Sequence, residues 1–146
     1  MTPPTYVVDT SVVVKWFVQE GEADLLKAVQ LFEAFQEGRC VLKAPQLLLF
    51  EIANALGTSR KLPVSTVLDS LRQLRDLELD LAPFSWPTLH KAVEISAACG
   101  LTVYDCYFVA LALQTDSLLV TADEVCLRKT RHLPSVVALR QLRFPG

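Results

Sequence analysis

The chain has 146 residues, 51% of them apolar and 21% charged, with a net charge of −2. That length and composition suit one packed domain spanning 1–146, and the charge balance exerts no global pull on nucleic acid. No apolar run approaches the roughly 18 residues a membrane span needs, and the N-terminus shows no basic stretch leading into an apolar one with a small-residue cleavage site, so a cytoplasmic protein with no membrane association is expected.

Residues 6–8, β-branched and aromatic, predict a short buried strand, and Asp9, Thr10 and Ser11 supply helix-capping types ahead of 12–17. Residues 20–37 carry a helical apolar rhythm (Leu25, Leu26, Val29, Phe32, Ala34, Phe35) closed by Gly38. A short strand over 41–43 follows, and Pro45 suits the first turn of a helix running to about Leu56 and stopping at Gly57. Pro63 opens a further helix with Val67, Leu68, Leu71, Leu74 and Leu77 as its apolar side. Residues 77–81 alternate leucine with acid, a strand pattern. Trp86-Pro87 opens a helix that Gly100 closes after Cys99, and 102–114 predict a strongly apolar helix. The chain ends with a strand over 117–120, a short helix over 124–131 and a last strand over 135–139.

Strands alternating with helices imply an α/β fold: a central, mostly parallel sheet with helices on both faces, a three-layer α/β/α sandwich. The four cysteines form no C-x-x-C pair and only two histidines exist, which argues against a zinc site and for buried free thiols. From Val125 onward there are five basic residues (Arg128, Lys129, Arg131, Arg140, Arg143) and no acid, a local rim suited to phosphate.

Four acids sit in apolar surroundings. Asp9 follows the first strand, Glu51 interrupts Leu47-Leu48-Leu49-Phe50 and Ile52-Ala53, Asp105 precedes Phe108-Val109-Ala110-Leu111, and Asp123 follows Leu118-Leu119-Val120. The other acids, Glu22 among them, fall on helix faces that read as solvated. A buried carboxylate without a partner is costly and tends to protonate. Ligands of open α/β sheets bind outside the carboxyl ends of the strands. Asp9 and Asp123 reach that rim directly, Asp105 projects from the first turn of its helix, and Glu51 points inward with Asn54 one turn later on the same face. Four acids at one rim cannot all ionise without a cation, and Mg²⁺ or Mn²⁺ fits an oxygen-only donor set.

Each acid also has a purely structural alternative. Asp9 would cap the helix after it. Thr102 to Asp105 and Thr121 to Glu124 match looser capping boxes, with Asp123 favouring the helix dipole. Glu51, mid-helix, has no capping role and would pair with Lys15 or Lys43.

The stretches VVDTSVVVKWF, LLLFEIANAL, LTVYDCYFVALAL and LLVTADEVCLRK, in that order, resemble the PIN-domain family, most closely its small members, the VapC toxins of bacterial toxin–antitoxin pairs. The similarity runs from about Tyr6 to Leu139. It implies a parallel sheet between helices and a metal-dependent ribonuclease, with Asp9, Glu51, Asp105 and Asp123 in the places of the family's four acids. Asp9, Asp105 and Asp123 would hold Mg²⁺ or Mn²⁺, and Glu51 would ligate it or orient the attacking water. Thr10, Ser11, Asn54 and Thr121 match polar positions that accompany the acids. The resemblance further implies an RNA substrate, a cognate antitoxin protein that covers the site, and a homodimer. Cys106 stands where alanine is common, and Asp116 matches no family position and reads as a turn residue.

On this reading Lys15, Arg60, Lys61, Arg128 and Lys129 grip the phosphate backbone, while Trp16, Phe17 and Tyr104 either stack bases or pack into the core. Residues 20–35 and 64–77 are candidate walls of a groove for a partner helix. Three rivals share the alternation of strands and helices and change the role. A phospho-receiver would want an acidic pair after the first strand, which is absent; a PIN nuclease could serve RNA processing rather than toxicity; and a non-catalytic RNA- or protein-binding module would keep the site idle.

Overall fold

The computed structural model describes residues 2–144. Five strands form one sheet: β1 (Thr5–Val8), β2 (Val41–Pro45), β3 (Asp80–Ala82), β4 (Leu118–Thr121) and β5 (Val136–Ala138). Their spatial order is β3-β2-β1-β4-β5 and every pairing is parallel, with Val7 opposite both Lys43 and Leu119. Adjacent strand residues point to opposite faces, and Val7 and Val8 are both fully buried, as are Leu119 and Val120 to within 1%. Both faces of the sheet are therefore covered, as the α/β/α expectation requires.

The helices are α1 (Thr10–Val13), continued by a 3₁₀ turn over Val14–Trp16; α2 (Leu25–Gln36); α3 (Leu47–Asn54), continued by a π turn over Ala55–Ser59; α4 (Val64–Asp76); α5 (Trp86–Cys99); α6 (Val103–Gln114); and α7 (Glu124–Lys129), with a last 3₁₀ turn over Leu139–Gln141. Helix α6 is buried all round from Cys106 to Ala112 and packs on β1, β2, β4 and α5, which explains its unbroken apolar run. Cys40, Cys106 and Cys126 are buried free thiols and Cys99 is half-buried. Among the described residues no single helix is long and apolar enough to cross a membrane.

Several boundaries differ from the sequence reading, each for a backbone reason. Pro45 does not open a helix: it is the last residue of β2, where pairing with β1 has already ended at Lys43 and no N–H is needed. Gly57 does not stop α3, because the chain widens into the π turn, with Arg60 N–H donating to Ala55 O at 3.0 Å. The helix expected from residue 20 begins at Leu25, since Gly21 and Asp24 both have positive φ (74° and 57°). Likewise Glu78 at φ 55° delays the strand expected from Leu77 to Asp80. Asp116, at φ 51° just after α6, is the turn residue its isolation suggested.

The α5–α6 corner keeps its expected bounds, with a cap the sequence reading did not single out. Ser85 caps α5, accepting from Thr88 N, a proline sits in the first turn, and Gly100 ends it in the left-handed region at φ 75°. Replacing Gly100 with Ala should cost about 1 kcal/mol through that φ alone, since the added methyl has room, 3.9 Å from Lys129 Nζ. Urea denaturation measures this directly.

Candidate active site

The chain runs from β1 outward through β2 and β3 and then crosses to the other side of β1 to place β4. The switch in direction lies between β1 and β4, where open parallel sheets bind ligands beyond their strand ends. Asp9 is the residue immediately after β1, and Thr121 is the last residue of β4.

An open cavity of about 520 Å³ sits there. Its walls include Asp9, Glu51, Asp105 and Asp123, together with Thr10, Ser11, Asn54 and Tyr104. The four acids come from the end of β1, from α3, from the first turn of α6 and from the cap of α7. Among the described residues the lining contains no lysine, arginine or histidine.

Asp9 is held by a directed network. Ser11 Oγ donates to its Oδ1 and Thr121 Oγ1 to its Oδ2, each at 2.5 Å. Each hydroxyl is itself an acceptor, from Ala122 N at 2.9 Å and from Asp123 N at 3.1 Å respectively. A hydroxyl has one proton to give, and in both cases it is directed to an Asp9 oxygen while a backbone amide occupies a lone pair. Asp9 occupies the N-cap position of α1, where the Val12 amide lowers its carboxyl slightly, but its two short hydrogen bonds go to Ser11 and Thr121 rather than to the helix. Thr10 Oγ1 donates to Glu51 Oε1 at 2.6 Å. The structural partners available to Glu51 are taken: Lys15 pairs with Glu22 and Lys43 with Asp80. Asp123, not Thr121, caps α7, its Oδ1 accepting from Val125 N and Cys126 N. Thr102 caps α6, accepting from Asp105 N at 3.1 Å, and its hydroxyl also lowers the Asp105 carboxyl, whose side chain lines the cavity.

Burial raises the carboxyls of Asp9, Glu51 and Asp105 above the usual range. Asp9 rises to about 6, with the Asp123 charge adding to burial against the pull of the Ser11 and Thr121 hydroxyls. Asp105 likewise feels Asp123, and Glu51 feels Asp105. The Cys126 thiol, in the same wall, is pushed to about 12 by burial and then by Asp9, Asp123 and Asp105. One group thus senses three of the four acids.

The donor set, oxygen only and net acidic, fits a hard divalent cation. The positions are not those of a closed shell: among the described residues no three His, Cys, Asp or Glu side chains stand ready to hold one ion. Both Asp9 oxygens and one oxygen each of Glu51 and Asp123 are engaged by protein donors. The chemistry of the donor set, not a preformed cage, is what fits a divalent cation, with Asp9, Glu51, Asp105 and Asp123 as the residues that would hold it.

The basic residues divide. Lys15 is 6% exposed and shares Glu22 with Arg60, so neither is a free surface cation, and Glu22 is an interior anchor rather than a solvated helix residue. The two cations take one oxygen each of this carboxylate, which sits in the turn before α2. Lys61 is exposed at φ 54°; Arg128 and Lys129 are exposed in the last turn of α7, with Lys129 Nζ donating to Gly100 O. Of the aromatic residues, Trp16 packs edge-on against Phe32 and donates to Ala28 O, Phe17 packs against the core, and Tyr104 alone of the three lines the cavity, 64% exposed. Phe50, 74% exposed on the same rim, was missed, since its run of apolar neighbours read as core.

A search of curated protein sequences returned no match. Solved structures match over nearly the whole chain. PAE2754 from Pyrobaculum aerophilum has 22% identity and a TM-score of 0.65, over 96% of this chain and 92% of that one. A toxin–antitoxin complex from Klebsiella pneumoniae has 17% identity and a TM-score of 0.68, over 94% and 99%. Mycobacterium tuberculosis VapC20, described as a Sarcin-Ricin loop cleaving toxin, has 14% identity and a TM-score of 0.68, over 84% and 93%. At these identities the likeness is one of fold. The PIN domain family model matches residues 6–133, and with the sheet and the acidic switch point already in place, the chain belongs to the PIN-domain family.

Proposed function

We propose that this protein is a divalent-metal-dependent endoribonuclease and the toxin of a type II toxin–antitoxin pair acting in the cytoplasm. One observation carries the reading: four carboxylates from four separated segments face one cavity with no cationic side chain in its lining. Asp9, Asp105 and Asp123 would hold Mg²⁺ or Mn²⁺, with Glu51 as a further ligand or as the group that orients water. Such an ion, when bound, acidifies water and neutralises charge growing on the phosphate oxygens.

The remaining work belongs to the chain's own groups. Ser11 and Thr121 keep Asp9 an acceptor, Thr10 aims Glu51, and the Asn54 amide offers donors from the same wall. Tyr104 presents a ring to an unpaired base, and Arg128 and Lys129 meet the phosphate backbone. The Cys126 thiol, held protonated, offers no nucleophile, which favours direct hydrolysis.

The toxin assignment is supported by an apolar groove of about 670 Å³ between α3 and α4, with Leu49, Leu71, Leu74, Leu79 and Leu81 in its walls. Phe50 belongs to both groove and cavity, so an amphipathic antitoxin helix seated in the groove would lie beside the acids. One candidate wall from the sequence, 64–77, falls on this groove. A homodimer is part of the proposal, by likeness to the family.

The test is cleavage of a structured RNA by the metal-stripped protein. No cleavage is expected in EDTA, and millimolar Mn²⁺ should restore it; full cleavage in EDTA overturns the metal role. A second reading, an idle module of the same fold, is favoured by the carboxylates standing apart. Titration calorimetry with Mn²⁺ separates the two, because an idle site should bind the ion poorly.

A further inference from the structure

The basic run at the C-terminus is only partly absorbed by the site above. Arg140 is tied to Glu124 at 2.5 Å and Lys129 to a backbone carbonyl. Arg143 goes elsewhere: it lines a separate cavity of about 390 Å³ with Lys27, Gln30, Glu33, Arg39 and Phe144. This cavity shares no residue with the acidic one. Its walls come from α2, from the turn after α2 and from the segment that follows the last 3₁₀ turn.

Three cations face one carboxylate there, the reverse of the balance at the acidic cavity. They are not consumed by strong pairing. Lys27 Nζ spends one proton on Leu142 O at 2.5 Å and lies 5.6 Å over the Phe144 ring, which pins the C-terminal segment against α2. Arg39 meets Glu37 through Nε alone, in an exposed pair of the kind that contributes little. Arg143 has no ion pair among the described residues, and neither does Glu33. Two guanidinium forks from distant parts of the chain suit phosphate oxygens, which accept two parallel donors each. The Gln30 amide adds neutral donors beside them.

We propose that the cavity lined by Lys27, Arg39, Arg143 and Phe144 is an accessory site for the phosphate backbone of single-stranded RNA, remote from the carboxylates. The choice of polymer rests on the nuclease reading; the site's phosphate chemistry does not. Without a divalent ion the acidic cavity repels phosphate, so binding in EDTA isolates basic surfaces such as this one.

The experiment is fluorescence anisotropy of a labelled 12-nucleotide RNA with the full chain in EDTA, across a salt series. The double variant Arg39→Gln/Arg143→Gln should bind about tenfold more weakly, and its log–log salt slope should be shallower by about 1.4, the share of two single-strand phosphate contacts. Neither residue is in the core, and circular dichroism checks the fold. Glu33→Gln keeps the test alive should the double variant misfold, since removing the one carboxylate should tighten binding severalfold. Inorganic phosphate should compete the RNA off. Unchanged affinity and slope in both variants overturn the proposal, as does tighter binding of a poly-glutamate peptide than of RNA. Phosphate binding with RNA affinity unmoved by the variants overturns the nucleic-acid assignment. Loss of Mn²⁺-dependent cleavage with these binding results intact would instead count against the nuclease reading alone.

Discussion

Asp9→Asn should make the protein less active and more stable at once. On activity, the proposal places Asp9 among the metal ligands, and losing a charged oxygen there should cut RNA cleavage at least about 100-fold at saturating Mg²⁺. On stability, the sign follows from the raised carboxyl. Its ordinary value is 3.8 and its folded value about 6, so the folded protein holds the proton more tightly than the unfolded chain does. Below about 3.8 both states are protonated and the residue costs nothing. Between about 3.8 and about 6 the unfolded chain ionises while the folded protein still holds the proton, so the folded state loses stability progressively, to a ceiling of about 3 kcal/mol that holds above 6.

Asparagine has no charge to desolvate, and although its NH2 cannot accept from Ser11 or Thr121 as a carboxylate oxygen does, that lost contact offsets only part of the gain. In EDTA at pH 7.5 the variant should therefore melt several degrees above the parent, and the gain should shrink as pH falls to 5. Mn²⁺ should raise the melting temperature of the parent and do little for the variant. Equal stability of the two proteins at both pH values would sink this account of the site. Thr121→Val moves the same carboxyl the other way. It removes a hydroxyl that lowers the Asp9 value, so the acid limb of the pH–rate profile should shift to higher pH, with the alkaline side unmoved.

The largest structural effect is expected away from the acids, at Glu22. Its carboxylate holds Lys15 Nζ at 2.8 Å and Arg60 on its other oxygen, with the three side chains 14%, 6% and 30% exposed. Glu22→Ala strands the lysine ammonium in a site that water barely reaches, and the expected loss is about 3 kcal/mol in urea denaturation. Most of that loss is the penalty of an unpaired charge, not the worth of the pair. The double variant Lys15→Met/Glu22→Leu, which removes both charges, should recover most of it. Arg60 also donates to Glu20 O at 2.8 Å and is the most exposed of the three, so Arg60→Ala should cost far less. If the double variant is as unstable as Glu22→Ala, packing rather than charge explains the site.

Local chemistry made much of the fold legible. The period of apolar residues marked α5 and α6 to within a residue, because Pro, Gly100 and Thr102 punctuate them with short-range signals. The anomaly of Asp9 and Glu51 was legible for the same reason: a carboxylate inside an apolar run is visible without any knowledge of its neighbours. Where a single φ decided an element, as at Asp24 and Glu78, residue type was a weak guide, since Asp and Glu enter the left-handed region only when the surrounding chain requires it.

The α/β class, the unusual apolar setting of the four acids and the helix ends at Gly38 and Gly100 were readable from the chain alone, since each depends on residues within a few positions of one another. Tertiary structure alone decided which partners those residues found. Lys15 went to Glu22, Glu51 to Thr10, and Arg143 came to line one cavity with Lys27 and Arg39, none of them readable from spacing. Such choices depend on where β1, β4 and α2 lie in space, and charge–charge and hydrogen-bond energies fall off with distance through the molecule, not along the chain.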